Sequence, residues 1–158
     1  MKYIFICLIL IFISSPVMGK DITGDWAIGI HYPGVGLKYG GKNLYSTEYR
    51  FAHKSGITLL GYRKQRLMKS YQDLNIYLGG EADFIFFVKE KYDMIGTGAG
   101  LEIFGAMEYF FIDNMSMGMD MGPGSVIAFD VKGGGMEIDW GVIINFTFNW
   151  YFRKDEKN

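Results

Sequence analysis

Large apolar side chains alternate with small or polar ones along most of the chain, and the alternation is clearest near the C-terminus. In the segment EIDWGVIINFTFNWYF, residues 137–152, one set of alternating positions is entirely apolar. A period of two is the signature of a β-strand, because successive side chains point to opposite faces. The apolar face of this predicted strand consists of Trp140, Val142, Ile144, Phe146, Phe148, Trp150 and Phe152.

The same period recurs upstream. The segment NMSMGMDMGPG places Met115, Met117, Met119 and Met121 on one face, and the segment YQDLNIYLGGEADFIFFV keeps one alternation through residues 71–88. Strands of a globular sheet are usually about 5–6 residues long. In a membrane barrel about 9–11 residues cross the apolar band, and the strands can extend beyond it. The long strands are therefore more typical of a membrane barrel.

The remaining pattern predicts an all-β fold without a convincing helix after residue 20. Further strands are predicted at 24–32, 34–40, 44–53, 57–65, 95–111 and 124–131, the last continuing the methionine strand past Pro123. Short connections rich in Gly, Asn, Asp and Lys are predicted at 33–34, 40–43, 54–56, 65–70, 89–93, 113–114 and 132–135. A turn at Pro33-Gly34 gives eight strands and a bulge there gives seven. Because bacterial barrels favour even numbers, we expect a closed antiparallel up-and-down β-barrel of about eight strands.

The composition of the polar face indicates which way the apolar face points. The polar face carries Gly, Ser, Asn and Thr with scattered charges of both signs, which suits a lumen with room only for side chains. We expect the apolar face to contact lipid, so that the barrel is transmembrane; a soluble periplasmic barrel of lipocalin type, with an apolar cavity, is the alternative. The predicted lipid-facing residues are Met117, Met119, Trp140, Phe146, Phe148, Trp150 and Phe152.

The charges of the polar face are predicted to form a structural ion-pair network in the lumen. Buried charges need partners of opposite sign, and Arg50 and Arg63 are the candidate partners for the carboxylates. The predicted network is Glu48, Arg50, Glu81, Asp83, Glu102 and Asp120.

The N-terminus is predicted to be an export signal. Lys2 precedes an apolar run at residues 3–13, and small or modest side chains lead to a predicted cleavage site near Gly19. This divides the chain into a signal peptide at 1–19, a barrel domain at 20–152 and a charged tail at 153–158. Since Cys7 lies in the signal, the mature chain has no cysteine for a disulfide or a zinc site. The net charge of −1 disfavours nucleic-acid binding.

Two features resemble a known class of proteins. The last strand, with aromatic residues at alternate positions up to Phe152, resembles the C-terminal insertion signal of bacterial outer-membrane barrel proteins. The segment GTGAGLEIFGAMEYFFIDNMSMGMDMGPG is similar to the consecutive hairpins of small outer-membrane-protein-like barrels of unknown function. The resemblance implies an outer-membrane location, insertion by the barrel-assembly machinery and contact with outer-membrane lipid. It implies no activity, and the tail RKDEKN after Phe152 departs from the class, whose members usually end on the aromatic residue.

The expected role is structural or interactive, as a monomer with no wide pore, no cofactor and no metal. One enzymatic alternative rests on RFAHKSGI, where His53 and Ser55 form an H-x-S pair similar to that of the lipid A deacylase barrels, in which the histidine activates the serine. Here Gly56 replaces the asparagine that follows the serine in that family, and Glu81 is the one acid considered for the third position. Whether the chain is an enzyme stays open.

Overall fold

A computed structural model describes residues 20–89 and 94–152 of the chain. The predicted signal peptide at 1–19, most of the predicted turn at 89–93 and the predicted tail at 153–158 lie outside the described residues. None of the described residues belongs to a helix that could cross a membrane. The described strands are β1 (Trp26–His31), β2 (Gly34–Gly40), β3 (Tyr45–Lys54), β4 (Ile57–Tyr71), β5 (Leu74–Lys89), β6 (Met94–Ile112), β7 (Met115–Asp130) and β8 (Met136–Phe152).

The strands form one ring-shaped antiparallel sheet. Each strand pairs with the next in sequence, and β1 also pairs with β8, from Trp26↔Phe152 to His31↔Thr147. The prediction of an all-β, up-and-down arrangement of eight strands is confirmed. The turn between β1 and β2 lies at Tyr32-Pro33, one residue earlier than predicted, and Gly34 is the first residue of β2.

The two ends of the ring differ in the turns that they carry. The end formed by the turns at 32–33, 55–56 and 131–135 is called the tip end below. The opposite end, with the turns at 41–44, 72–73 and 113–114, also holds Phe152 and the chain entry at residues 20–25, and is called the terminal end.

The predicted turn at 65–70 is wrong, because β4 continues to Tyr71. The strand keeps its pairing with β5 through Arg66↔Leu78, shifts register between Leu67 and Lys69, and ends at a turn at 72–73. A β-bulge inserts one residue and reverses the alternation. The charged residues beyond this shift therefore look like a turn in the sequence although they continue the strand.

The alternation divides each strand between an inner and an outer face. The outer face carries most of the large apolar side chains, and Trp140, with an exposed fraction of 77%, is the most exposed. The predicted lipid-facing residues all lie on this outer face; Met119 is half-buried there and the others are exposed. The inner face instead holds buried polar and charged side chains, among them Lys38, Arg63 and Glu108.

The wall of the ring is uneven in height. β1 and β2 have 6 and 7 residues, whereas β8 has 17. β7 pairs with β8 along nearly its whole length, but β1 reaches only as far as Thr147. Among the described strands, residues 136–146 of β8 therefore have no neighbour on the β1 side. This gap between β8 and the β1–β2 hairpin is called the side opening below.

Candidate functional site

The lumen near the terminal end is filled by a hydrogen-bonded cluster around Glu108, called the plug below. Lys38 Nζ donates to Glu108 Oε2 at 2.7 Å. The other carboxylate oxygen accepts from Ser116 Oγ at 2.6 Å, Asn149 Nδ2 at 2.8 Å and the Tyr151 hydroxyl at 2.7 Å. All five side chains are buried. A buried charge is tolerated when it is paired and its remaining lone pairs are satisfied, and both conditions hold for Glu108.

Aromatic rings complete the plug. The Lys38 ammonium lies 5.2 Å from the ring centroid of Tyr77 and 5.6 Å from that of Tyr151, within the range of cation–π attraction. The ring of Phe110 packs on Tyr151 with their centroids 5.4 Å apart. The ammonium is thus surrounded by an acid and two aromatic faces.

A second cluster, called the charge cluster below, lies in the middle of the lumen. Arg50 Nη1 donates to both oxygens of Glu81 at 2.7 Å, and Arg63 Nε donates to the same carboxylate at 2.9 Å. Arg63 Nη1 donates to Asp120 Oδ2 at 2.7 Å, and Asp120 Oδ1 accepts from Asn145 Nδ2 at 2.8 Å. These contacts join β3, β4, β5, β7 and β8 across the lumen.

The two clusters seal this half of the ring. A gap among the side chains that lie between them has a volume of about 20 Å³. One water molecule occupies about 30 Å³ of liquid and needs a cavity of at least about 10–15 Å³. The space therefore holds at most a single water. Phe104, with an exposed fraction of 1%, fills the centre under the Arg63 guanidinium, whose carbon lies 3.9 Å from the ring centroid.

Glycines on the inner face make room for these side chains. A Cβ atom at Gly29 would lie 2.6 Å from Asn149 Oδ1 and 2.9 Å from His31 Nε2. One at Gly36 would collide with Glu48 and His31, which form an ion-pair contact across the β1–β2–β3 wall. His31 and Lys38 are the large inward side chains of the short β1–β2 hairpin, and they occupy the space that its glycines leave.

Carboxylate oxygens without a hydrogen-bond partner lie beside the charge cluster. Asp83 Oδ1 and Glu102 Oε1 are buried, and neither has a hydrogen-bond partner within the part of the chain that the structure describes. Glu102 has an exposed fraction of 5% and lies directly opposite Glu81 in the β5–β6 pairing. Glu81 binds both arginines, and neither of these two oxygens receives a hydrogen bond from Arg50 or Arg63.

Above the charge cluster the lumen opens into a cavity of about 510 Å³ towards the tip end. Arg50, Glu81, Asp83 and Glu102 form its floor. Its walls are apolar, in contrast to the inner face below. The wall residues are Ile57, Leu59, Ile85, Val126 and Ile143.

The rim of the cavity carries one cation. Lys54 Nζ donates to the Tyr32 hydroxyl at 2.5 Å, and this ammonium lowers the pKa of Tyr32 from its ordinary value. The same ammonium lies 4.5 Å from the centroid of the Tyr32 ring. Lys54 is therefore held at the rim, away from the carboxylates of the floor.

The predicted ion-pair network is placed as follows. Arg50, Glu81 and Asp120 are joined through Arg63, whereas Glu48 contacts His31. Asp83 and Glu102 lie beside the network, and one oxygen of each has no hydrogen-bond partner among the described residues. Sequence reasoning missed Lys38 and Glu108, although the alternation in GVGLKYG places Lys38 on the glycine face and LEIFGAMEYF places Glu108 on the face of Glu102.

The structure does not bring His53 and Ser55 together as a catalytic pair. His53 lies on the outer face, where its Nδ1 is 2.9 Å from Thr58 Oγ1 across the β3–β4 hairpin. Ser55 lies in the turn, in a left-handed conformation with φ of 51°. Glu81, the acid considered for the third position, is bound to two arginines inside the lumen. The three side chains therefore lie in separate environments.

In the residues that the structure describes, no group of three or more His, Cys, Asp and Glu side chains could hold a metal ion. A scan of the chain against protein-family models and a search of curated protein sequences found no match. The candidate site is therefore interpreted from its own geometry.

Proposed function

We propose that this protein is a β-barrel of a bacterial outer membrane, with a structural or surface-interaction role and no wide pore. The observation that carries the proposal is the outer face, which is almost entirely apolar along the described strands. Its charged side chains, by alternation and register, are Lys64, Arg66 and Lys69, all on β4. Such a face in water would be an aggregation hazard, whereas in a bilayer it is the preferred surface.

Aromatic contacts on the outer face support the same proposal. Trp26 and Tyr39 lie with ring centroids 4.8 Å apart, and Trp150 and Phe152 with centroids 5.9 Å apart, all close to the terminal end. Membrane barrels carry aromatic girdles at the two interfaces of the bilayer. In the proposed orientation this group lies at the periplasmic interface and the tip end faces outward.

The dimensions of β8 agree with a membrane crossing. An apolar band of about 25 Å, crossed by a strand that rises about 3.3 Å per residue at a tilt of about 45°, takes about eleven residues. Counted back from Phe152, these residues extend to Val142. Phe146 and Phe148 then lie near the middle of the bilayer.

The filling of the lumen supports a role without a wide pore. The plug and the charge cluster fill the half of the lumen near the terminal end with paired side chains, so the proposed role is to reinforce the membrane or to contact lipid or a surface partner. Insertion would depend on the barrel-assembly machinery. A soluble carrier would have most of its large apolar side chains around an inner cavity, whereas most of them lie on the outer face here.

Membrane fractionation combined with a heat-modifiability gel tests the proposal. We expect the protein to sediment with the outer membrane and to change its electrophoretic mobility after boiling, because a folded barrel resists the detergent at room temperature. The purified protein should show no stable conductance in planar bilayers. Recovery in the osmotic-shock fluid, or a large steady conductance, would contradict the proposal.

A further inference from the structure

The inner face changes character at the level of the cavity. Below it the inward positions carry Gly, Ser, Asn, charged residues and aromatic rings such as that of Phe104. Above it the inward residues are aliphatic: Leu59 on β4, Ile85 on β5, Val126 on β7 and Ile143 on β8. Together with the apolar outer face, this makes the strands apolar on both faces near the tip end. Strands with two apolar faces are typical of positions covered on both sides. On the lumen side, nothing in the described residues covers these side chains.

The floor of this apolar cavity contains more carboxylates than guanidinium groups. The charge cluster and the carboxylates beside it comprise two guanidinium groups, Arg50 and Arg63, and four carboxylates, Glu81, Asp83, Glu102 and Asp120. Asp83 Oδ1 and Glu102 Oε1 are buried and unpartnered. Leaving a buried acceptor without a partner costs about 1–3 kcal/mol, and more for a charged group. A cationic donor entering from the cavity would satisfy both oxygens.

The cavity also opens sideways. Its lining includes Ile143 and Asn145 of β8, in the part of β8 that lacks a described strand neighbour on the β1 side. It also includes Val35, which lies on the outer face of β2. The cavity thus continues around the β1–β2 hairpin through the side opening. That hairpin has strands of 6 and 7 residues, fewer than the about 9–11 that cross the apolar band of a membrane. The side opening then lies at the depth of the hydrocarbon.

We propose that the cavity binds an amphipathic organic cation, a primary amine with an apolar body. The ammonium group lies between Glu102 and Asp83, and the apolar body packs on the wall of Ile57, Leu59 and Ile85. The binding of the head group stands on the lumen geometry alone. The exit of a long tail through the side opening into lipid rests on the proposed membrane location.

The chemistry of the two ends of the ligand follows from the two parts of the site. An ammonium has three donors and one positive charge, which matches two unpartnered carboxylate oxygens better than a neutral hydroxyl does. An alkyl carboxylate of the same length would meet the three carboxylates of the floor, Glu81, Asp83 and Glu102. A volume of about 510 Å³ is within the range of about 300–1,000 Å³ that is usual for small-molecule sites.

Calorimetric titration of the folded protein with octylamine, octanol and octanoate, in non-ionic detergent micelles and with empty micelles subtracted, tests the head-group site. We expect octylamine to bind at least tenfold more tightly than octanol, and octanoate not to bind. The isosteric variant Glu102→Gln should lose this preference for the amine. Asp139→Asn, which changes an exposed carboxylate of β8 outside the cavity, is the matched control and should keep it.

Equal binding of octylamine and octanol, or an unchanged preference in Glu102→Gln, would overturn the proposal. If Glu102→Gln does not show heat modifiability, Asp83→Asn is the second variant. Asp83→Asn should lose the preference for octylamine over octanol, and a variant that keeps this preference would contradict the proposal. Because the titration is made in micelles, its result does not depend on the membrane location. A protein that selects the amine but is recovered in the soluble fraction would refute the proposed function, whereas the proposed cation site would still stand.

Discussion

The contact between Lys38 and Glu108 makes a quantitative prediction for the stability of the barrel. The substitution Lys38→Met keeps a long, unbranched side chain but removes the ammonium 2.7 Å from Glu108 and its cation–π contacts with Tyr77 and Tyr151. Glu108 keeps its three neutral donors. Removing one partner of a buried ion pair costs about 3–5 kcal/mol. Because the remaining donors partly compensate the carboxylate, we expect a loss of about 3 kcal/mol in the free energy of unfolding.

The second half of this prediction concerns the double variant. Removing the carboxylate charge as well, in Lys38→Met with Glu108→Gln, leaves a neutral amide that can still accept hydrogen bonds from Ser116 and Tyr151. Replacing both members of a buried pair by neutral groups is often close to neutral in stability. The double variant should therefore recover at least about 2 kcal/mol of the loss, a coupling typical of residues in one network.

Reversible urea unfolding of the protein in lipid vesicles, followed by tryptophan fluorescence, measures both changes. Lys42→Met is the matched control, because Lys42 is exposed in the β2–β3 turn at the same end of the barrel, and exposed sites usually change stability by less than about 0.5 kcal/mol. If Lys38→Met costs less than about 1 kcal/mol, or the double variant is no more stable than the single one, the reasoning that Lys38 compensates a buried carboxylate is refuted.

Three further predictions concern other parts of the barrel. Phe146→Arg, on the outer face, should cost about 2–4 kcal/mol by the same unfolding assay in vesicles if it lies near the bilayer midplane; no cost would argue against lipid contact. Phe104→Ala should cost about 3–5 kcal/mol, since the side chain fills the centre of the lumen and leaves a cavity; a smaller loss would mean that the lumen collapses around the gap. Overexpression of the wild-type protein, of His53→Ala and of Ser55→Ala should give the same lipid A profile by mass spectrometry. If the wild-type protein changes the lipid A profile and the two variants do not, the enzymatic hypothesis is restored.

The sequence predicts the strands well because a period of two is a local property. The alternation from Trp140 to Phe152 and that from Leu74 to Val88 assign each residue to a face without reference to any other strand, and the structure keeps both assignments. The prediction fails at residues 65–70, where the register shift between Leu67 and Lys69 moves the alternation by one residue. A local pattern cannot distinguish such a shift from the end of a strand.

The partners within the lumen depend on distances that the sequence does not contain. Lys38 and Glu108 are 70 residues apart and lie on strands that are not neighbours, so their contact depends on the stagger of the strands around the ring. The sequence shows which charged residues face inward. It does not show whether an inward carboxylate is bound by an arginine, as Glu81 is, or keeps an oxygen without a hydrogen-bond partner, as Glu102 does. The side opening is likewise visible only from the unequal pairing of β8 with β7 and β1.

The two halves of the lumen separate stability from binding, and Glu102 tests that separation. In the plug every charge is compensated, so substitutions there should lower stability. Glu102, by contrast, is a buried carboxylate with an unpartnered oxygen, and natural proteins commonly retain such unfavourable groups where function needs them. Glu102→Gln should therefore raise the free energy of unfolding in the absence of ligand by about 0.5–2 kcal/mol, the range usual for stabilising substitutions, while it abolishes the preference for the amine. Urea unfolding in vesicles, with Asp139→Asn as the control for removing a carboxylate, measures the change. A loss of stability greater than about 1 kcal/mol would mean that Glu102 is compensated in the folded barrel, and the reason for expecting a cation in the cavity would then disappear.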